Sequence, residues 1–221
     1  MTTNELSLSA RTTGERVAEY LRNQILAGRL RPEDRLVPDA LVEPLGVSRM
    51  PIREAFLVLE HDGWISTSRS RRSVVNPIDA REVHDIFRVA GTALGIVIRR
   101  IIESADDAEL AELVAAGSSV LEAETTHELL RSRQSFIAHL LVAASSPHFV
   151  AVLRASCDFA SAALLDQSSS STTTVCEGTK RIVEVLRTRD LERAEGVCLE
   201  AAAAVGATAV QLLEKRGVVV N

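Results

Sequence analysis

The apolar positions of this chain change period twice. From Thr12 to Gly28, Val17, Leu21 and Ile25 recur at helical spacing, with Thr12 or Thr13 placed to cap the helix. Arg31–Leu36 reads as a turn. Pro38 opens a second, short helix at a position that tolerates proline, Pro44 lies in its last turn, and Gly46 supplies the positive φ that ends it. Ser48 is placed to cap a third helix by accepting a backbone N–H. Pro51 falls in that helix's first turn, where a missing N–H costs nothing. Ile52, Ala55, Phe56 and Leu59 then form one stripe to be buried. The period shortens over Trp64–Val75, WISTSRSRRSVV, which reads as two short β runs around a basic turn. Beyond Asn76-Pro77 it returns to helical and stays so. Six helices are predicted near residues 79–103, 106–124, 126–145, 147–167, 174–188 and 190–215, with the polar Ser168–Thr174 as a loop. Residues 1–11 carry no periodicity and read as a mobile arm.

The pattern predicts a mainly α protein. Residues 12–77 form a winged helix-turn-helix domain, and an all-helical bundle of about six helices follows. Arg49 and Arg53 stand four apart on the third helix, on a face roughly opposite Phe56 and Leu59. Guanidinium groups at the exposed start of the second helix of such a pair suit a DNA reader; the same pair also fits a plain solvated face. The basic turn favours the first reading. Arg69, Arg71 and Arg72 sit at its tip without an acidic neighbour, as on a wing that meets phosphates or a narrow minor groove.

Three stretches carry a specific resemblance. They are Leu30-Arg31-Pro32-Glu33-Asp34-Arg35-Leu36, then Leu45-Gly46-Val47-Ser48-Arg49-Met50-Pro51-Ile52-Arg53-Glu54-Ala55, then the wing. Together they resemble the N-terminal domain of the GntR family of bacterial transcription regulators over about residues 12–78. The helical remainder, residues 78–217, resembles the effector-binding and dimerisation domain of the FadR-type subgroup, the FCD domain. The resemblance implies DNA contacts by Arg35, Ser48, Arg49, Met50 and Arg53, with Arg69, Arg71 and Arg72 on the wing. A salt bridge to a nearby carboxylate is the other reading of Arg35. Family members usually carry glycine where Glu33 stands, and the turn is expected to survive the change. They usually carry a small hydroxyl residue where Met50 stands, so Met50 is expected to alter base preference by apolar contact.

Charge is distributed to match. Residues 1–78 hold 11 Arg and 10 Asp+Glu, whereas the remainder holds 14 Lys+Arg and 20 Asp+Glu, for an overall −5. Positive charge for DNA must therefore be a local patch. Every basic residue of the first part is arginine, the side chain suited to bidentate contact. Aromatic residues are only 3%, so alanine, leucine and valine must pack the core. No apolar run is expected to approach a membrane span and no signal peptide opens the chain, which reads as cytoplasmic. Cys157, Cys176 and Cys198 lack metal-type spacing and read as buried thiols.

The resemblance also implies a divalent-metal site, one Asp and three His, in the helical domain. Carried over singly, those positions fall on Arg133, Ile137, Thr179 and Ala201. Guanidinium has no lone pair to offer, and Ile and Ala have no donor atom, so no metal and no cofactor is expected. A one-turn shift of the alignment would bring in His139. A family Arg and Glu fall likewise on Ala90 and Leu94. These residues are expected to line an apolar cavity, with Arg133 and Thr179 as polar handles for an organic-acid or acyl-type effector. Arg133 equally fits neutralising a core carboxylate, or pointing to solvent. No catalytic set, Walker motif or paired-carboxylate motif is present, which argues against an enzyme. Three readings result: an effector-responsive homodimeric repressor on two-fold operator DNA; a DNA-binding regulator whose second domain only dimerises; or a small-molecule-binding helical protein or enzyme whose first domain docks protein rather than DNA.

Overall fold

The computed structural model describes residues 12–68, 72–144, 159–160 and 169–220. The chain divides into two compact units, Met1–Ile78 with Arg216–Val220, and Asp79–Lys215.

The first unit begins with α1 (Thr13–Leu26). Its N-terminus closes a capping box: the Thr12 hydroxyl accepts from the Glu15 backbone N–H at 3.1 Å, and the Glu15 carboxylate accepts from the Thr12 N–H at 2.9 Å. The predicted stripe is buried, Val17, Leu21 and Ile25 among it. β1 (Arg35–Leu36), α2 (Pro38–Leu45) and α3 (Arg49–His61) follow. Ile52, Ala55, Phe56 and Leu59 of α3 are all buried, as their spacing predicts. β2 (Ile65–Thr67) and β3 (Ser73–Val75) form the wing, and the antiparallel sheet has the order β1-β3-β2. Arg35 pairs with Val74, and Thr67 with Ser73.

The turn before β1 survives the absence of glycine. Glu33 adopts φ 69°, a left-handed conformation that costs a non-glycine residue about 1–3 kcal/mol. Flanking ladder bonds offset this: Glu33 N–H donates to Val75 O at 2.9 Å, and Val75 N–H donates to Asp34 O at 3.0 Å. The C-terminal residues also join this unit, which the sequence pattern did not suggest. Arg216 donates to Leu26 O at 3.0 Å, Val218 is fully buried, and β5 (Val219–Val220) pairs with β4 (Ile78–Asp79).

The second unit is helical throughout its described residues: α4 (Ala80–Ser104), α5 (Asp107–Leu121), α6 (Thr126–Ala143), α7 (Ser169–Thr188) and α8 (Leu191–Lys215). Asp79 caps α4 by accepting from Arg81 N–H at 2.7 Å, and capping boxes open α5 and α6. In the second box, backbone N–H groups of Thr125 and Glu124 donate to Glu128 and hold its carboxyl below the usual carboxylate range.

α4 packs along α8 with little between the backbones. A Cβ on Gly91 would lie 2.9 Å from Leu199 Cα, and one on Gly95 would lie 2.9 Å from Glu195 Cα. Around this seam, Val97, Ile98 and Ile101 of α4 join Leu113 and Val120 of α5, Phe136 and Leu140 of α6, Leu186 of α7 and Val197 of α8 in one core. Cys198 belongs to it, and burial pushes its thiol up to about 12, which keeps it protonated and inert near neutrality. Cys176 is half-buried.

Three expectations need correction or bounding. The serine-threonine run is not a loop from Ser169 onward, because it forms the first turns of α7, with Ser171 buried. Serine and threonine lose only a few tenths of a kcal/mol to alanine per helical position, so packing overrides the local preference. α8 is, by length and composition, apolar enough to cross a membrane, contrary to the expectation for this chain. Half of that stretch is buried, through Ala194, Val197, Cys198 and Ala201 among others, as in the core helix of a packed domain. The predicted helix over 147–167 lies outside the described residues except for Phe159 and Ala160, which are helical and buried.

The short turn between α7 and α8 carries a second left-handed residue, Arg189 with φ 51°. Its guanidinium donates to Ile102 O at 3.1 Å and Ala105 O at 3.0 Å, which closes the end of α4, and to Asp107 at 2.8 Å. Arg189→Ala removes these bonds and keeps the backbone strain. It should destabilise the protein by about 1–3 kcal/mol in urea titrations. Arg189→Gly relieves the strain and should recover roughly 1 kcal/mol of that loss.

Candidate functional site

Two places gather the residues singled out by the sequence. The first is the start of α3. Gly46, with φ 63°, ends α2 and turns the chain so that α3 begins three residues later. Ser48 occupies the cap position with φ −73° and ψ 170°, but its hydroxyl accepts no hydrogen bond from the helix, contrary to expectation. Pro51 in the first turn removes one of the donors that such a cap would serve. The Ser48 hydroxyl therefore faces outward among the exposed Arg49, Met50 and Arg53.

The electrostatics of this patch are weak, which decides what it can do. Arg49 Nε lies 3.0 Å from Asp39 Oδ1 at the start of α2, with both side chains about 70% exposed (72% and 70%). A pair this exposed contributes about 0.2–1 kcal/mol. A bidentate contact to a base discriminates by about 1–3 kcal/mol, so DNA can outcompete the carboxylate. Among the described residues, Arg35 and Arg53 make no ion pair, so the salt-bridge reading of Arg35 is not what the fold adopts.

The wing stands beside β1. Its base is tied by Ser68 N–H donating to Arg72 O at 2.9 Å, Arg72 N–H donating to Ser68 Oγ at 3.3 Å, and a Thr67–Ser73 hydroxyl contact of 3.0 Å. Arg72 is exposed. Arg69 and Arg71 lie outside the described residues.

The second place is a cavity of about 80 Å³ within the helical unit. Arg133, Ile137, Thr179 and Ala201, from three different helices, all line it, as do Ala90 and Leu94. Phe87, Phe136, Gly178 and Val205 complete much of the wall and escaped the sequence reading, because nothing but packing distinguishes them. Arg133 is half-buried, and among the described residues it has no hydrogen-bond or ion-pair partner. It does not neutralise a described core carboxylate. His139 is exposed and not in the cavity wall; its Nδ1 donates to Ser135 O at 2.7 Å. Among the described residues, no three His, Cys, Asp or Glu side chains come together in a way that could hold a metal ion.

A three-helix unit with a tight glycine turn, an exposed arginine-bearing third helix and a β wing is a winged helix-turn-helix domain. Residues 13–75 match the family profile "Bacterial regulatory proteins, gntR family". The chain is 35% identical over 86 residues to an uncharacterized HTH-type transcriptional regulator of Mycobacterium tuberculosis, covering 39% of this chain and 35% of that protein. It is 27% identical over 120 residues to the regulator YdhC of Bacillus subtilis, 52% of this chain and 54% of that one. With McbR of Escherichia coli it shares 30% over 97 residues, 44% of each. The matched segments thus span about a third to a half of these relatives, all named as transcriptional regulators. Solved structures extend the likeness in fold. E. coli McbR/YncC aligns with a TM-score of 0.64 at 19% identity over 93% of this chain and 99% of that one. A GntR-type regulator from Rhodococcus sp. RHA1 aligns with 0.61 at 20% identity over 91% and 97%. The relatives and the family are transcription regulators, not enzymes.

Because the Arg49–Asp39 pair is exposed, a double-mutant cycle to alanine should give a coupling energy of about 0.2–1 kcal/mol in thermal or urea unfolding. A coupling above about 2 kcal/mol would mean the pair is structural and unavailable to a partner.

Proposed function

We propose that this protein is a sequence-specific, cytoplasmic transcription repressor, which binds two-fold operator DNA as a homodimer and changes its operator affinity when a small acid enters the helical cavity. The observation that carries the DNA reading is the joint exposure of Ser48, Arg49, Met50 and Arg53 at the start of α3, with Met50 62% exposed. An apolar side chain so exposed between two arginines suits a thymine methyl flanked by base-edge acceptors. Arg35, Arg72, Arg69 and Arg71 are assigned to the backbone and minor groove. Domain limits follow the same reading: 12–77 for DNA and 78–217 for effector binding and dimerisation.

The effector reading rests on Arg133, a half-buried cation without a described partner in an otherwise apolar wall. Leaving a guanidinium partly desolvated and unpaired is costly, and an incoming carboxylate removes that cost. Thr179 adds a hydroxyl, while Ile137 and Ala201 accept the ligand's carbon skeleton. The volume of about 80 Å³ limits the ligand to a short-chain acid unless the walls move. That same small volume favours the second reading, a domain that dimerises and senses nothing.

Operator selection from a random library, followed by titration of variants, tests the first half. Arg49→Ala should weaken binding by about 1–3 kcal/mol and blur the preference at one base position in each half-site. Unchanged affinity and selectivity would sink the assignment. Thermal-shift screening of short carboxylates tests the second half, since a ligand that favours the folded state raises the melting temperature. Arg133→Ala should abolish that shift and leave operator binding intact. A stoichiometric divalent ion in protein purified without chelator, bound through the helical unit, would overturn the metal-free assignment.

A further inference from the structure

The chain passes between its two units twice, once at Ile78–Asp79 and again where α8 ends and Arg216–Val220 begins. That last segment is short, yet it is fastened to the first unit along its length. Gly217, with φ 67°, turns the chain out of α8. Arg216 is half-buried and donates to Leu26 O at 3.0 Å, in the last turn of α1. That turn has no basic residue of its own, so Arg216 supplies the cation that a helix C-terminus favours. Gly28, with φ 72°, lies against the same segment: a Cβ there would come within 2.7 Å of Arg216 O. Val218 is 0% exposed, and β5 pairs with β4, where Ile78 is also buried.

Three kinds of contact therefore hold one terminal segment: a bond to a helix end, a buried aliphatic side chain and a strand pair. Chain termini without such ties are ordinarily poorly ordered. The strand pair has a second consequence. β4 lies at the first passage and β5 ends the second, so the two links are hydrogen-bonded to each other and form one doubled connection. A unit held by a doubled connection has less freedom to turn than a unit held by a single strand. For an operator with two half-sites at fixed spacing, that freedom matters. Whatever freedom the reading unit has in the free protein is lost on binding, and the loss weakens affinity.

We propose that Arg216–Val220 is an integral part of the DNA-reading unit and its second tether, and that this tether raises affinity for two half-sites together by limiting the unit's freedom. The proposal rests on the two-fold operator reading given above and adds how the reading unit is held.

The test uses three variants and two readouts. Trp64, the single tryptophan of the chain and 8% exposed, belongs to the first unit, so its fluorescence follows the unfolding of that unit. Ending the chain at Lys215, or Val218→Asp in the full chain, should lower the urea midpoint of Trp64 fluorescence by about 1 M, as loss of a buried valine and its strand requires. Circular dichroism without urea checks that both variants are folded. The third variant inserts about ten Gly and Ser residues between Lys215 and Arg216, which leaves the segment free to dock but slackens the tether. Its Trp64 midpoint should stay within about 0.3 M of the parent's. Its affinity for the full operator should fall about ten-fold, while affinity for a single half-site stays within about two-fold. Trp64 midpoints like the parent's in both docking variants would overturn the integral role of the segment. Full-operator affinity unchanged by the insertion, or half-site affinity reduced as much as full-operator affinity, would overturn the tether. A parent that binds the full operator no more tightly than one half-site overturns the two-fold reading itself.

Discussion

The glycine seam between α4 and α8 governs the helical unit. Gly91 and Gly95 bring α4 to within the reach of one missing methyl from the Cα atoms of Leu199 and Glu195. Backbones that close have little room to slide or rotate, because any shift drives a side chain of α8 into the α4 backbone. Two consequences follow. On one flank, Ala90, Leu94 and Ala201 are held facing α6 and α7, where their short side chains leave the cavity unfilled. On the other, Val89, Thr92 and Ile96 are turned outward and remain exposed. A cavity and an unpartnered face are thus two results of one packing constraint.

The first unit works by a different balance. Its core of Leu21, Ile25, Ile52, Leu59 and Ile65 is buried, while Arg49 and Asp39 stand exposed. At the start of α3 the cost of freeing Arg49 from Asp39 is small because water already screens the pair. The fold therefore presents that arginine without locking it. Rigid placement comes from the backbone, through Gly46 and the buried stripe of α3, and adaptable charge comes from the surface. Glu33 illustrates how much strain such a frame tolerates: two strand bonds hold a left-handed glutamate where glycine would sit more easily.

Residue patterns alone made the helix-turn-helix and wing legible, because each rests on local chemistry. A positive-φ glycine, a proline at a helix start and a four-residue apolar stripe act within a few residues of where they are written. The arginines on α3 were legible for the same reason, since helical spacing separates them from the buried stripe. Ser48 was misread in its local role because a cap requires a particular hydroxyl orientation, and sequence specifies only the position. The serine-threonine run was misread because its weak local preference is overruled by burial of Ser171 and Val175 against distant helices.

The sequence by itself determined which elements form, which faces are apolar, and that Arg133, Ile137, Thr179 and Ala201 supply chemistry unsuited to a metal ion. The family resemblance placed these four residues at one cavity; only the tertiary structure decided its small volume, that Arg133 finds no described carboxylate, and that the last residues return to complete the first unit. The physical reason is range. Periodicity, capping and side-chain chemistry act over one or two helical turns, whereas a cavity between α4, α6, α7 and α8 depends on how closely separate helices approach. Here that approach is set by two glycines, whose significance lies in atoms they lack.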